Sequence, residues 1–152
     1  MPLFIGAKIE GVQKVSELLK DVDRKLNDFT EPLKEANNFM HKEIQSNFGN
    51  QGTQMKKPWQ KLSPQYKKQK TKKYPGKGIL EASGKMKRSF RSKVDKKKAI
   101  ISNPTDYFGA HQTNKRSKLK NLPRRVMLNI TKEQNFKIVK IFHKFIHKVT
   151  NG

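Results

Sequence analysis

Apolar residues recur at steps of three and four near both ends of this chain, and this spacing constrains the fold more than any other feature. The pattern covers residues 12–26 and 33–48, and it returns over residues 138–149. Such spacing places apolar side chains on one face of a helix. We therefore predict a helical hairpin or one long kinked helix over about residues 12–48. A second helix closes the chain and follows a capping box at residues 131–134.

Shorter elements are predicted between and before these helices from alternating apolar residues and turn signals. They are a strand at 3–10, a hairpin with strands at about 87–95 and 97–103, a short helix at 106–112 and a strand at 126–130. Together these elements predict an α+β fold: a helical N-terminal arm, a small mainly antiparallel β-sheet, and a C-terminal helix packed on the sheet. At 152 residues, we expect the whole chain to form a single domain.

The net charge of +23 is concentrated in the middle of the chain, where residues 55–98 hold 17 basic and 2 acidic side chains, a net of +15. Two explanations are open. A surface that faces a polyanion gains binding free energy from the release of counterions. Alternatively, the charge reflects a solvated surface in an A/T-rich coding sequence, since 29 of the 35 basic residues are Lys. Specific phosphate or base recognition favours Arg.

Residues 50–78 combine glycine, proline and lysine, and we predict a basic loop there. A short helix begins within it, with Ser63 as N-cap and Pro64 at the first position. Trp59, Tyr66 and Tyr74 either stack on single-stranded nucleic acid or anchor the loop to a core, and their Pro and Leu neighbours favour anchoring. Our hypothesis is that this loop is mobile in the free monomer and becomes ordered against a neighbour. The basic candidates for contact with DNA or a neighbouring subunit are Lys67, Lys68, Lys70, Lys72, Lys73, Arg88 and Arg91.

Residue types that support catalysis or metal binding are sparse. The chain has no cysteine, and its few carboxylates are not clustered as a hydrolase or nuclease requires. His143 and His147 stand four apart, but no further ligand lies nearby in sequence. No apolar run is long enough to span a membrane, and the N-terminus does not resemble a signal peptide. We therefore expect a cytoplasmically assembled protein without membrane contact, cofactor, metal or active site.

Four short motifs occur in order along the chain. Their positions are Trp59, Leu62, Ser63 and Pro64; then Ile79, Leu80, Ser83, Gly84, Met86 and Ser89; then Tyr107, His111 and Gln112; and finally Pro123, Arg125 and Leu128. This series resembles the virion morphogenesis family of tailed bacteriophages, which includes the Mu-like morphogenesis proteins and related tail-completion proteins. The resemblance covers about residues 30–148. One departure is Thr113, which stands where a glycine commonly follows the His-Gln pair.

The resemblance implies a structural protein of the head–tail junction, acting in tail completion or head–tail joining as a subunit of a hexameric or dodecameric ring. The implied partners are further copies of the chain, other neck, connector or tail-tube proteins, and packaged DNA through non-specific contact. The motif residues are implied to define the fold or an interface. We expect Ile79 and Leu80 to enter the core, Ser83 to cap a turn that carries Met86 inward, and His111 to hydrogen-bond within the fold. The alternative function is a basic protein that binds nucleic acid without sequence preference.

Overall fold

Six α-helices and one β-hairpin make up the described part of the chain, so the predicted α+β fold class is confirmed. The computed structural model describes residues 16–113 and 122–152, without the side chains of residues 16–19 and 21. In chain order the elements are α1 (Ser16–Leu26), α2 (Thr30–Gly49), a 3-10 turn (Thr53–Met55), α3 (Pro64–Lys73), α4 (Lys85–Arg88), β1 (Arg91–Val94), β2 (Ala99–Ser102), α5 (Phe108–Thr113) and α6 (Lys132–Asn151). The predicted strand at 3–10 lies outside the described residues.

The N-terminal helical stretch is two helices rather than one, because residues 27–29 are not helical. Asp28 supplies the local reason: its Oδ1 accepts a hydrogen bond from the backbone N–H of Thr30 at 2.9 Å. That bond satisfies one of the N–H groups that the first turn of α2 leaves unpaired. Hydrogen bonds from Thr30 hold the pKa of Asp28 below its ordinary value.

The chain separates into two compact units built from interleaved segments. The first unit comprises residues up to 39, 92–101 and 132–152, and the second comprises residues 40–91 and 102–131. Helix α2 contributes residues to both. The single domain expected over residues 1–152 stays a prediction.

The first unit packs the apolar face of α6 against α1 and the residues that precede α2. The ring of Phe29 lies 5.9 Å from the rings of both Phe142 and Phe145, measured between centroids. The backbone N–H of Phe29 donates to the carbonyl of Lys96 at 2.8 Å, which attaches this connection to the hairpin turn. The apolar spacing of α6 therefore identified a face that is buried in the fold, with Ile138 also in the core.

The hairpin forms where the sequence predicts it, with shorter strands. Asp95 shapes the turn, since its Oδ1 accepts from the N–H groups of Lys97 and Lys98, both at 2.9 Å. The first strand begins only at Arg91 because the preceding residues, 85–88, form the helical turn α4. The predicted start at residue 87 is therefore wrong by four residues.

The second unit has a core that α2 shares with loop residues from distant parts of the chain. Its centre is Phe48, whose ring meets the rings of Trp59 at 5.3 Å and Phe90 at 6.1 Å in edge-to-face geometry. Such pairs add to the free energy gained from burial alone. Other buried apolar side chains of this unit are Met40, Ile44, Met55, Ile79, Met86, Val126 and Met127.

The basic loop predicted at 50–78 contains more regular structure than expected. Helix α3 occupies residues 64–73, beginning as predicted at Pro64 with Ser63 as its N-cap. The Ser63 Oγ accepts the Tyr66 N–H at 3.4 Å. Trp59 is buried and anchors the segment to the core, as its neighbours indicated. Tyr66, by contrast, is exposed on α3.

Candidate interaction site

Residues 122–131 form a segment without regular secondary structure, which is held in the second unit mainly by side chains instead of a neighbouring strand. Gln112 makes most of these bonds. Its Oε1 accepts from the backbone N–H groups of Met127 at 2.8 Å and Leu128 at 3.2 Å, and its Nε2 donates to the Leu128 carbonyl at 2.6 Å. One amide side chain therefore offers the donor and acceptor that a paired strand would otherwise supply.

The strand predicted at 126–130 is consequently wrong. Alternation along a strand sends neighbouring side chains to opposite faces. Here Val126 and Met127 are adjacent and both buried, while Leu128 is half-buried. Val126 and Met127 are buried in the core, but the backbone of this run hydrogen-bonds to side chains from elsewhere in the second unit.

Asn47 is a buried residue of α2 that was not predicted from the sequence, and it joins this segment to that helix. The carbonyl of Val126 accepts from Trp59 Nε1 at 2.8 Å and from Asn47 Nδ2 at 3.3 Å. The Oδ1 of Asn47 accepts the backbone N–H of Met55 at 3.1 Å. Asn47 stands three residues after Ile44, on the apolar face of α2, and this spacing was the available signal of its burial.

Arg125 connects three of the four motifs. Its Nε and Nη2 donate to the carbonyl of Gln60 at 3.0 Å and 2.9 Å. Its backbone N–H donates to the carbonyl of His111 at 2.8 Å. Only 5% of the Arg125 surface is exposed. The motif residues are thus brought together by hydrogen bonds between segments that are far apart in sequence.

The second motif forms a tight turn that carries Met86 into the core, as predicted. The Ser83 Oγ accepts the Lys85 N–H at 3.3 Å at the start of α4, and Met86 is buried. Ile79 is buried too. Leu80 instead lines a cavity and is half-buried, with a positive φ of 63°.

Three further motif positions shape the surroundings of this turn. Gly84 precedes α4 with φ 71°, in the left-handed region where a glycine carries no steric penalty. The Ser89 hydroxyl donates to the Lys85 carbonyl at 2.6 Å and so ends the same turn. Leu62 is half-buried and faces the cavity.

The four motifs surround one cavity of about 480 Å³, which we call the basic cavity. Its lining combines cationic, hydroxyl and apolar side chains. The cationic or titratable groups are Lys61, Lys70, Lys85, His111 and Arg125. Hydroxyls come from Ser63, Tyr66, Ser83 and Tyr107, and apolar walls from Leu62, Ile79, Leu80, Ala82, Met86, Leu122 and Pro123. Over the described residues, the lining contains neither Asp nor Glu.

Lys70 differs from the other lysines of α3 because its side chain is only 7% exposed. Its Nζ donates to the carbonyl of Gly78. Burial lowers the pKa of Lys70, and the Arg125 charge lowers it further, while Glu81 opposes the shift. The other basic candidates, Lys67, Lys68, Lys72, Lys73, Arg88 and Arg91, are exposed. Of the seven basic side chains predicted to contact DNA or a neighbouring subunit, Lys70 is therefore buried and the other six are exposed.

His111 lies in the wall of the basic cavity. Burial is the largest influence on its pKa, which falls below the ordinary value of 6.5, and the Arg125 charge acts in the same direction. A hydrogen bond to the backbone of Pro123 acts in the opposite direction and raises the pKa of His111. The backbone N–H of His111 donates to Tyr107, but its ring Nδ1 is buried without a hydrogen-bond partner in the described structure. The expected hydrogen bonding of this residue is therefore incomplete.

The depressed pKa of His111 predicts a specific dependence of stability on pH. The unfolded chain takes up the proton at a higher pH than the folded chain does. The free energy of unfolding should therefore be fully retained above about pH 7.5 and decrease as the pH falls through about 6.5 toward the folded pKa.

Chemical denaturation between about pH 7.5 and about pH 5.5 measures this effect. Substitution His111→Gln should flatten the dependence, because glutamine keeps a donor for Pro123 and does not titrate. His143→Gln, at an exposed position of α6, should leave it as in the native chain. If the free energy of unfolding of His111→Gln fell with decreasing pH as steeply as that of the native chain, His111 would not be the source of the dependence.

Comparison with known families agrees with the motif series. The phage virion morphogenesis family matches residues 11–146. The chain belongs to this family. Searches of curated proteins and of solved structures give no match.

Membership of the virion morphogenesis family gives the chain a role in phage structure or assembly and associates it with the virion. Within the described ranges, no helix is long and apolar enough to cross a membrane. The same residues contain no cluster of three or more His, Cys, Asp or Glu side chains that could hold a metal ion.

Proposed function

We propose that the chain is a structural, non-catalytic subunit of the head–tail junction of a tailed phage. In this role it acts in tail completion or head–tail joining as part of an oligomeric ring. The family match over residues 11–146 carries the proposal. The motif residues support a structural role because their described bonds hold backbone segments and core side chains together, as with Gln112 and Arg125.

Ring assembly requires that each subunit contact its neighbours through two different surfaces. Exposed apolar side chains on α6 offer one candidate, since Phe136 and Val139 stand three residues apart and are both exposed. The exposed lysines of α3 offer another, suited to an acidic neighbour. The proposed partners are further copies of the chain and other neck, connector or tail-tube proteins, with non-specific contact to packaged DNA.

Particles made without this protein test the proposal. We expect electron micrographs to show filled heads separate from tails, or tails of abnormal length, and complementation with the native gene should restore joined virions. Native mass spectrometry of the purified protein should show a closed oligomer. Normal infectious virions in its absence would overturn the proposed role at the junction.

The exposed lysines of α3 favour a second candidate, nucleic-acid binding without sequence preference. Lys67, Lys68, Lys72 and Lys73 share one short helix and are exposed to solvent. A salt titration with duplex DNA separates the two functions. Tight binding by the monomer that weakens steeply with salt supports the second. Oligomer formation and incorporation into particles support the first.

A further inference from the structure

We propose that the basic cavity binds an acidic side chain of a partner protein, presented on a segment that also carries an apolar side chain. The inference concerns a binding site on the free chain and does not depend on a place at the head–tail junction. It rests on three observations: two buried cations without a carboxylate partner, hydrogen-bond donors left over on both, and apolar walls beside them.

The two buried cations, Arg125 and Lys70, hydrogen-bond to neutral groups. Arg125 donates to the carbonyl of Gln60, and Lys70 donates to the carbonyl of Gly78. Carbonyl groups accept hydrogen bonds but bring no net negative charge. The nearby carboxylate of Glu81 places its Oε1 2.7 Å from the Nζ of Lys87, and its charge opposes the lowering of the Lys70 pKa without a described ion pair between these two residues. In the described structure the two positive charges are therefore buried without direct neutralisation, which is unfavourable unless an anion joins them.

Both cations retain donors for such an anion. Lysine carries three N–H groups and arginine carries five. The described bonds engage one acceptor for Lys70, the Gly78 carbonyl, and one for Arg125, the Gln60 carbonyl. Burial lowers the pKa of each group, because its charge is poorly solvated. A bound carboxylate would supply the missing solvation through short, charge-assisted hydrogen bonds.

The apolar walls define the rest of the ligand. Leu62, Ile79, Leu80 and Leu122 line the same cavity as the cations. Its volume of about 480 Å³ lies within the range of cavities that enclose small ligands or side chains. A free inorganic anion would leave these walls without contacts. A peptide that carries an apolar residue next to an acidic one would fill both parts.

Duplex DNA fits the basic cavity poorly. Its phosphates lie on the outside of a wide, convex rod, where protein side chains must reach out to them. Arg125 and Lys70 are only 5% and 7% exposed and cannot extend toward such a surface. The exposed lysines of α3 suit that contact, so binding to DNA and binding in the cavity should involve different residues.

Titration of the purified full chain with short peptides tests the proposal. The probe is the tripeptide Leu-Glu-Leu, acetylated and amidated so that its only charge is the glutamate side chain. The matched control is Leu-Gln-Leu, which has the same shape without the charge. Nuclear magnetic resonance shifts should map the first peptide to Lys70, His111 and Arg125. Its Kd should be lower than that of the control by about tenfold or more, as expected for a hydrogen bond to a charged group.

Two substitutions on α3 distinguish the cavity from general electrostatic attraction. Lys70→Met removes the buried charge and keeps an apolar chain of similar length, whereas Lys72→Met removes an exposed charge from the same helix. We expect Lys70→Met to raise the Kd for Leu-Glu-Leu about tenfold and Lys72→Met to leave it within about twofold. Because Lys70→Met also removes the donor to the Gly78 carbonyl, circular dichroism should show that this variant keeps the native fold at the temperature of the titration.

Several results would overturn the proposal. They are equal affinity for the two peptides, equal weakening by the two substitutions, and the absence of shifts at the cavity residues. Shifts there with inorganic phosphate or duplex DNA, but none with Leu-Glu-Leu, would identify a phosphate site instead. Because these measurements use the free chain, their failure is separate from any failure of the particle experiment.

Discussion

Phe48→Ala is expected to lower the free energy of unfolding by about 4 kcal/mol, in the range measured for large-to-small changes at buried aromatic positions. The Phe48 side chain is fully buried in the second unit. Its ring meets Trp59 and Phe90 edge-to-face, and the Nζ of Lys87 lies 5.9 Å from its centroid. Truncation removes these contacts and leaves a cavity that the surrounding helix and turn can fill only in part.

Phe136→Ala provides a matched control, because it makes the same change where 60% of the side chain is exposed. Its described ring contact is with the Nζ of Lys140, at 4.7 Å, so we expect a loss within about 1 kcal/mol. Urea denaturation monitored by Trp59 fluorescence and by circular dichroism measures both. Similar losses in the two variants would contradict the described core.

Gln112→Ala should destabilise the fold by about 3 kcal/mol. The substitution deletes the bonds to the N–H groups of Met127 and Leu128 and to the Leu128 carbonyl. Partly buried backbone groups left without partners cost about 1 to 3 kcal/mol each, reduced where water can reach them. Residues 122–131 should lose protection from amide hydrogen exchange before the rest of the second unit does.

Gln112→Glu separates the two halves of this interaction. The glutamate keeps an acceptor for the two N–H groups but removes the donor to the Leu128 carbonyl, so we expect a smaller loss than for alanine. Gln65→Ala, at an exposed position of α3, should change stability by no more than about 0.5 kcal/mol. If Gln112→Ala behaved like Gln65→Ala, residues 122–131 would have to be held by other contacts.

Elements that depend on local interactions were predictable from the sequence. The spacing of apolar residues identified α6 and the buried face that carries Ile138, Phe142 and Phe145. Ser63 and Pro64 marked the start of α3, and the turn at Asp95 marked the hairpin. Each signal acts over a few residues, through a helix turn, a cap or a turn hydrogen bond, and therefore remains readable in the sequence.

Contacts between distant residues could not be predicted in this way. The strand expected at 126–130 failed because its backbone partners are the side chains of Gln112, Trp59 and Asn47. Trp59 is 67 residues away from the carbonyl that it binds. Nor does the sequence distinguish Lys70 from its neighbours on α3, since only the packing of that helix determines which lysine is buried.

The sequence by itself determined the family, through the order of its motifs. It also determined that helices lie near both ends of the chain and that positive charge is concentrated in the middle, because these features follow from the spacing of apolar residues and from composition. Only the tertiary structure decided that the four motifs surround one basic cavity. It also decided that two of the basic side chains in this cavity, Lys70 and Arg125, are buried rather than solvated. The physical reason is that burial and neutralisation of a charge depend on which segments pack around it.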